Sequence, residues 1–175
     1  MLIHHTVTDK RSRALFGGQK GAVMKDVNIY IYTEYTGSLK SGTGKYHVVL
    51  ETLVKTNKGE EPATLKDMDV LEDITKNRIE LLALEKALSH LSKRSRVIVH
   101  TSSEYVTGAF VQGWPDKWKS NGFKTKGKPI KHADIWKNIL KQVELHDITF
   151  MKSEKTSYSR AQEIELKNFK GKKEK

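Results

Sequence analysis

In the segment VNIYIYT, Val27, Ile29 and Ile31 alternate with Asn28, Tyr30 and Tyr32, and this two-residue period predicts a strand from Val27. The turn-rich YTGSLKSGTGK ends it, and YHVVLETLV alternates well enough to be its hairpin partner. Asn57-Lys58-Gly59 supplies the next turn, after which PATLKDMDVL reads as a weaker third strand. Successive strands joined by short turns favour an antiparallel start to a sheet.

The period then lengthens. Ile79, Leu82, Ala83 and Ala87, flanked by Leu81, Leu84, Leu88 and Leu91, make a broad apolar helix face that begins near Thr75. RVIVHT follows as a short strand of the kind covered on both faces. A strand, helix and strand in that order imply a crossover, so this strand pairs parallel with an earlier one. Ser103 is placed to cap a helix EYVTGAFVQGW, with Pro115 or Asp116 restarting a further turn. After the basic loop KWKSNGFKTKGKPIKH, Asp134 suits the first turn of DIWKNILKQVEL, whose Ile135, Ile139, Leu140 and Val143 form a stripe. HDITFMK is a last strand, and a helix spans about Ser157 to Phe169. The expected order is β-β-β-α-β-α-α-β-α, an α/β fold with a mixed five-stranded sheet of three antiparallel and then parallel strands, flanked by helices.

Residues 1–25 show little periodicity and read as an appended arm, 26–170 as the domain and 171–175 as a basic tail. Lys20-Gly21-Ala22 can be encoded with a ribosome-binding sequence just before the Met24 codon, so translation starting at Met24 is one expectation for the arm. At 175 residues, one domain is the natural division. Charge sharpens this picture. Lys and Arg number 32 against 21 Asp and Glu, a formal +11, so the molecule attracts polyanions, with nucleic acid the first candidate. No cysteine is present, which excludes disulfides, thiolate metal sites and cysteine nucleophiles. No apolar run approaches the roughly 20 residues of a membrane span, and a cytoplasmic location is expected.

The phrases NIYIYTE, TKNRIELLALEKAL, VIVHTSSEYV and GWPDKWKSNGFKTKGKPIKHADIWKNI, in that order, resemble type 1 ribonuclease H over about Val27 to Phe169. The resemblance implies an enzyme that cleaves the RNA strand of an RNA/DNA hybrid with two Mg²⁺ ions held by four acids. The acids lie on the first strand, the first helix, the fourth strand and the last helix. Paired divalent cations repel each other and take oxygen ligands, so carboxylates must offset their charge. Matching the phrases places Glu34 and Glu80 at two of these positions as retained acids. It places Ser102 at the third, where TSS replaces an expected TDS, and Gln162 at the fourth. Glu34 is also longer than the usual Asp, and Tyr35 adds bulk beside it. Weak metal binding, Mg²⁺ or Mn²⁺, is expected at Glu34 and Glu80 if at all. KSEKTSYSR carries no histidine where the family has one to assist proton transfer or product release, and His146 lies too early. Glu163 and Glu104 are the neighbouring acids that could restore a ligand.

The resemblance also assigns substrate contacts. Thr75 and Asn77 match positions that touch the backbone and minor groove, Lys76 replaces a neutral amide, and Glu104 matches a substrate-contacting position. The basic stretch is similar to the family's protrusion, with Lys117, Lys119, Lys124, Lys126, Lys128 and Lys131 facing phosphates and Trp118 and Phe123 packing or stacking. Trp136 reads as core, and His90, His100 and His132 as structural or surface residues. The leading expectation is a domain that binds RNA/DNA hybrid or a related duplex and is catalytically impaired. The alternatives are an active divalent-metal-dependent hybrid nuclease and a protein-interaction scaffold with the same fold.

Overall fold

Alternation along the longest strands is what sets the two faces of the sheet. The computed structural model describes residues 2–5 and 24–172. Strand β1 spans Leu2–His5, β2 Lys25–Gly37, β3 Gly42–Thr56 and β4 Gly59–Ile74. Helix α1 (Lys76–Ser89) crosses to β5 (Ser95–Thr101), followed by α2 (Glu104–Val111) and α3 (Trp114–Ser120). A small hairpin, β6 (Lys124–Thr125) and β7 (Lys128–Pro129), precedes α4 (Ala133–Leu145), β8 (Asp147–Lys152) and α5 (Ser159–Asn168).

The main sheet runs β1-β8-β5-β2-β3-β4. β2, β3 and β4 are antiparallel neighbours, whereas β5 pairs parallel with both β2 and β8. This is the expected five-stranded mixed sheet. Leu2–His5, inside the segment read as an arm, adds an antiparallel edge strand on β8. The arm's residues 6–23, including Lys20-Gly21-Ala22, lie outside the described residues.

In β2, Val27 and Ile29 point to the face buried under α1, α2 and α4, in register with Val97 and Val99 of β5. The even-numbered residues Tyr30, Tyr32 and Glu34 alternate to the opposite face, where α5 packs. Thr75 starts α1 by accepting a bond from the Arg78 amide at 3.2 Å, which satisfies a donor that helical pairing leaves open. The helix then buries Ile79, Leu81, Ala83, Leu84, Ala87 and Leu88. It approaches β3 so closely that a Cβ on Gly44 would meet Ile79 at 2.8 Å, so the position requires glycine. Trp136 of α4 is fully buried, its indole donating to the Tyr105 hydroxyl at 3.2 Å. Among the described residues, no helix is long and apolar enough to cross a membrane.

Candidate active site and nucleic-acid interface

The sheet end where β2 outruns β5 brings the sequence-assigned residues into one neighbourhood, on both sides of the sheet. Register is recorded up to Tyr30 opposite His100, so Glu34 projects beyond the level of Ser102. On the α5 face, the Tyr32 hydroxyl donates to Glu34 Oε1 at 3.2 Å. Burial, then the charge of Glu34 and its hydrogen bond, and then the charge of Glu163 push the Tyr32 hydroxyl up to about 12.

Glu80 comes from the other side. It is 6% exposed, and its Oε2 accepts a short bond from the Ser103 hydroxyl. Its Oε1 lies 3.5 Å from the ammonium of Lys76, one turn earlier on α1. Ser103 caps α2 as expected, accepting from the Val106 amide at 3.1 Å, and so ties the buried acid to that helix. Ser102 is exposed at the β5–α2 junction.

Gln162 is buried, and its side-chain amide donates to the backbone carbonyls of Tyr30 at 3.0 Å and His47 at 3.2 Å. It works as a strut between α5 and two strands. One turn along, Glu165 accepts from buried His47 at 2.7 Å and from Lys66 at 2.8 Å, and these two partners hold its carboxyl below the ordinary range. Neither Glu165 nor His47 stood out in the sequence, because their pairing spans 118 positions.

The chemistry of the donor set decides how far this site suits a divalent ion. Among the described residues, no group of three His, Cys, Asp or Glu side chains is arranged to hold a metal. Glu80 Oε2 is taken up by the Ser103 hydroxyl, Lys76 approaches its Oε1 at 3.5 Å, and the Gln162 amide is committed to the backbone. The residues present do not fit a tightly held ion pair, which needs several free carboxylate oxygens.

Thr75, Lys76 and Asn77 line a cleft of about 740 Å³ with Tyr35, Leu39 and Lys131. Thr75 is already engaged as a cap, while Lys76 and the fully exposed Leu39 face solvent. Glu104 is exposed and bonded to Lys152 Nζ at 2.6 Å, a lysine the sequence reading passed over. That bond, then the Lys152 charge, holds the Glu104 carboxyl low, and the Lys76 charge adds to it.

The protrusion is mounted on aromatic rings. Trp118 is half-buried, with its ring 5.0 Å from Trp136 and 6.1 Å from Trp114, so it anchors the protrusion to the core. Trp114, 41% exposed, is the more available surface. Phe123 also packs on the core, with Lys137 over its ring at 5.6 Å. Lys117, Lys124, Lys126 and Lys128 are exposed, whereas Lys119 is engaged by Glu144. Asp134 sits in the first turn of α4 and takes a two-pronged bond from Arg78 at 2.7 and 3.3 Å, as suits a helix-start residue. His90, His100 and His132 bond to Asp67, Asn28 and Arg78, which are structural roles.

A search of family models matches RNase H over residues 26–154. Ribonuclease HI of Synechocystis sp. is 34% identical over 124 residues, covering 70% of this chain and 73% of that protein. Ribonuclease H of Desulforamulus reducens is 36% identical over 123 residues, covering 70% and 72% respectively. Among solved structures, LC9-RNase H1, a type 1 RNase H with the type 2 active-site motif, aligns with a TM-score of 0.67 at 19% identity. It covers 85% of this chain and 71% of that one. A foamy viral protease-reverse transcriptase in complex with RNA/DNA hybrid aligns at TM-score 0.61 and 23% identity, covering 93% of this chain and 21% of the other. The sheet order, the capped helix carrying Glu80 and these matches agree: the chain belongs to the type 1 ribonuclease H family.

Proposed function

We propose that this chain binds RNA/DNA hybrid or a closely related duplex and hydrolyses it poorly, because two of the family's four acid positions hold Ser102 and Gln162. The observation that carries the reading is the state of the donor set. Glu80 takes the Ser103 hydroxyl on one oxygen and has Lys76 3.5 Å from the other, Gln162 is a strut, and Ser102 offers only a neutral hydroxyl. In-line attack on a phosphodiester depends on fixed charge at the reacting centre, and a neutral amide or hydroxyl does not supply it. Binding needs less. Exposed Lys117, Lys124, Lys126 and Lys128 on a rigidly mounted protrusion provide the phosphate contacts that dominate nucleic-acid affinity.

One observation favours an active nuclease: the charge of Glu163 is felt at Tyr32, whose hydroxyl bonds Glu34. A cleavage assay on hybrid in Mg²⁺ and in Mn²⁺ separates the readings, with Glu34→Gln and Glu80→Gln as controls. The impaired reading expects little product in either ion. Robust turnover abolished by Glu80→Gln establishes the active nuclease instead.

A further inference from the structure

Helix α5 rests on the sheet with little apolar burial. Of its ten residues only Gln162 and Leu166 are buried, and Ile164 is 47% exposed. A single buried leucine is a small hydrophobic anchor, so polar ties carry much of the docking. Those ties gather on β4, the edge strand of the main sheet. Successive residues of a strand point to opposite faces, and two neighbours in β4 are gripped from opposite sides. Lys66 pairs with Glu165 of α5 at 2.8 Å. Asp67, in register with Val48 on the α1 face, bonds His90 just past the end of α1 at 2.8 Å and Lys172 beyond the end of α5 at 3.2 Å. Lys172 also lies 4.0 Å from Asp69. The chain leaves α5 at Phe169 and passes Gly171, whose φ of +101° suits glycine, before delivering Lys172 to the far side of the strand. Helix α5 and residues 169–172 therefore straddle the β4 edge.

We propose that residues 169–172 form an ionic clasp that locks α5 onto the β4 edge, and that breaking the Lys172–Asp67 pair lets α5 and β4 open together while the central strands stay closed. The Asp67 side chain is only 13% exposed, and a carboxylate so placed stays ionised only with partners. Burial pushes its carboxyl up, yet the bonds from His90 and Lys172 outweigh burial and hold the group below the ordinary range. Lys172 is 50% exposed, so dissolved salt reaches the pair and weakens it. The clasp also lays chain across an edge that is otherwise open to pairing with another strand. Because Gln162 stands on α5, the clasp sets how firmly that strut meets the carbonyls of Tyr30 and His47. Neither nucleic acid nor metal takes part.

Hydrogen exchange of the full chain, read by mass spectrometry on peptides from β4, α5 and β5, tests the clasp. Lys172→Gln is expected to speed exchange in β4 and α5 about two- to fivefold, the scale of one partly exposed ion pair acting on local opening, with β5 unchanged. Asp67→Asn, which weakens the tie to His90 as well, is expected to exceed that effect in β4. Salt at about 1 M, where screening acts within ~3 Å, should bring the wild-type rates, taken relative to β5, toward those of Lys172→Gln. Lys170→Gln, a loss of the same charge two residues earlier, should leave all three elements as they are. Unchanged rates in Lys172→Gln overturn the proposal. So does an equal rise in β5, which marks global destabilisation, or an equal effect from Lys170→Gln, which marks a response to net charge alone.

Discussion

The sheet end around Glu80 and the protrusion around Trp118 carry charge in opposite ways. At the sheet end nearly every charged or polar group has an internal partner: Glu80 with Lys76 and Ser103, Glu104 with Lys152, Gln162 with two carbonyls. On the protrusion, Lys117, Lys124, Lys126 and Lys128 face solvent, while the aromatic rings beneath them are packed. A site built for chemistry keeps groups under-satisfied until the reacting species arrives, and a site built for binding phosphates presents solvated cations on a firm mount. By that measure the protrusion presents solvated cations on packed rings, whereas the polar groups of the sheet end pair largely with one another.

The mount gives the largest expected effect. Trp136→Ala removes a fully buried ring that meets Trp118, Tyr105 and Phe110, and should cost about 3–5 kcal/mol in denaturant unfolding. A smaller loss would mean that the protrusion stands on other contacts. Next, the sheet end can be pushed back toward chemistry. Ser102→Asp with Gln162→Asp should raise hybrid hydrolysis in Mn²⁺ by about a hundredfold, the scale attached to one charge-stabilising group at a reacting centre. The same double variant strips two buried carbonyls of their donor, at a cost of about 1–3 kcal/mol, so its unfolding must be followed in parallel. No gain in a folded variant would break the impaired reading.

Reversing the solvated side tests the other half. Lys124→Glu with Lys126→Glu should weaken hybrid binding and lower the salt slope by about 2, with the melting temperature unchanged because both side chains are exposed. Unchanged affinity would remove the protrusion from the interface.

The smallest effect is in acid. Glu165 is held below the ordinary carboxylate range first by His47 and then by Lys66. A depressed folded pKa contributes stability that is present above the unfolded value and lost as pH falls through the folded one. Thermal stability should therefore decline as the solution is acidified below about pH 4.5, near the ordinary Glu value. Glu165→Gln should flatten that decline, and a melting-temperature series across pH checks it.

Much of the fold was legible because its signals are local. The alternation in β2 and β3, the Thr75 and Ser103 caps and the stripe of α4 each lie within a few residues, and each element formed around its pattern, although β2 and β3 extend into the expected turn and leave only residues 38–41 between them. The added edge strand at Leu2–His5 and the two-residue strands of the protrusion were not legible. Segments that short carry too little period to distinguish strand from loop. Of the candidate site, residue identities at Glu34, Glu80, Ser102 and Gln162 could be read, but their partners could not. Lys152 and His47 went unnoticed, since nothing local marks either residue.

The order of elements, the basic character and the positions carrying or lacking acids follow from the sequence by itself, because periodicity, capping and composition act over one or two turns of chain. Tertiary structure alone decided that Gln162 is a strut, that Trp118 is an anchor and that Glu80 accepts from the Ser103 hydroxyl. Which donors meet a buried group depends on how distant segments pack, and only folding brings residues 103 and 80, or 162 and 30, within hydrogen-bonding reach.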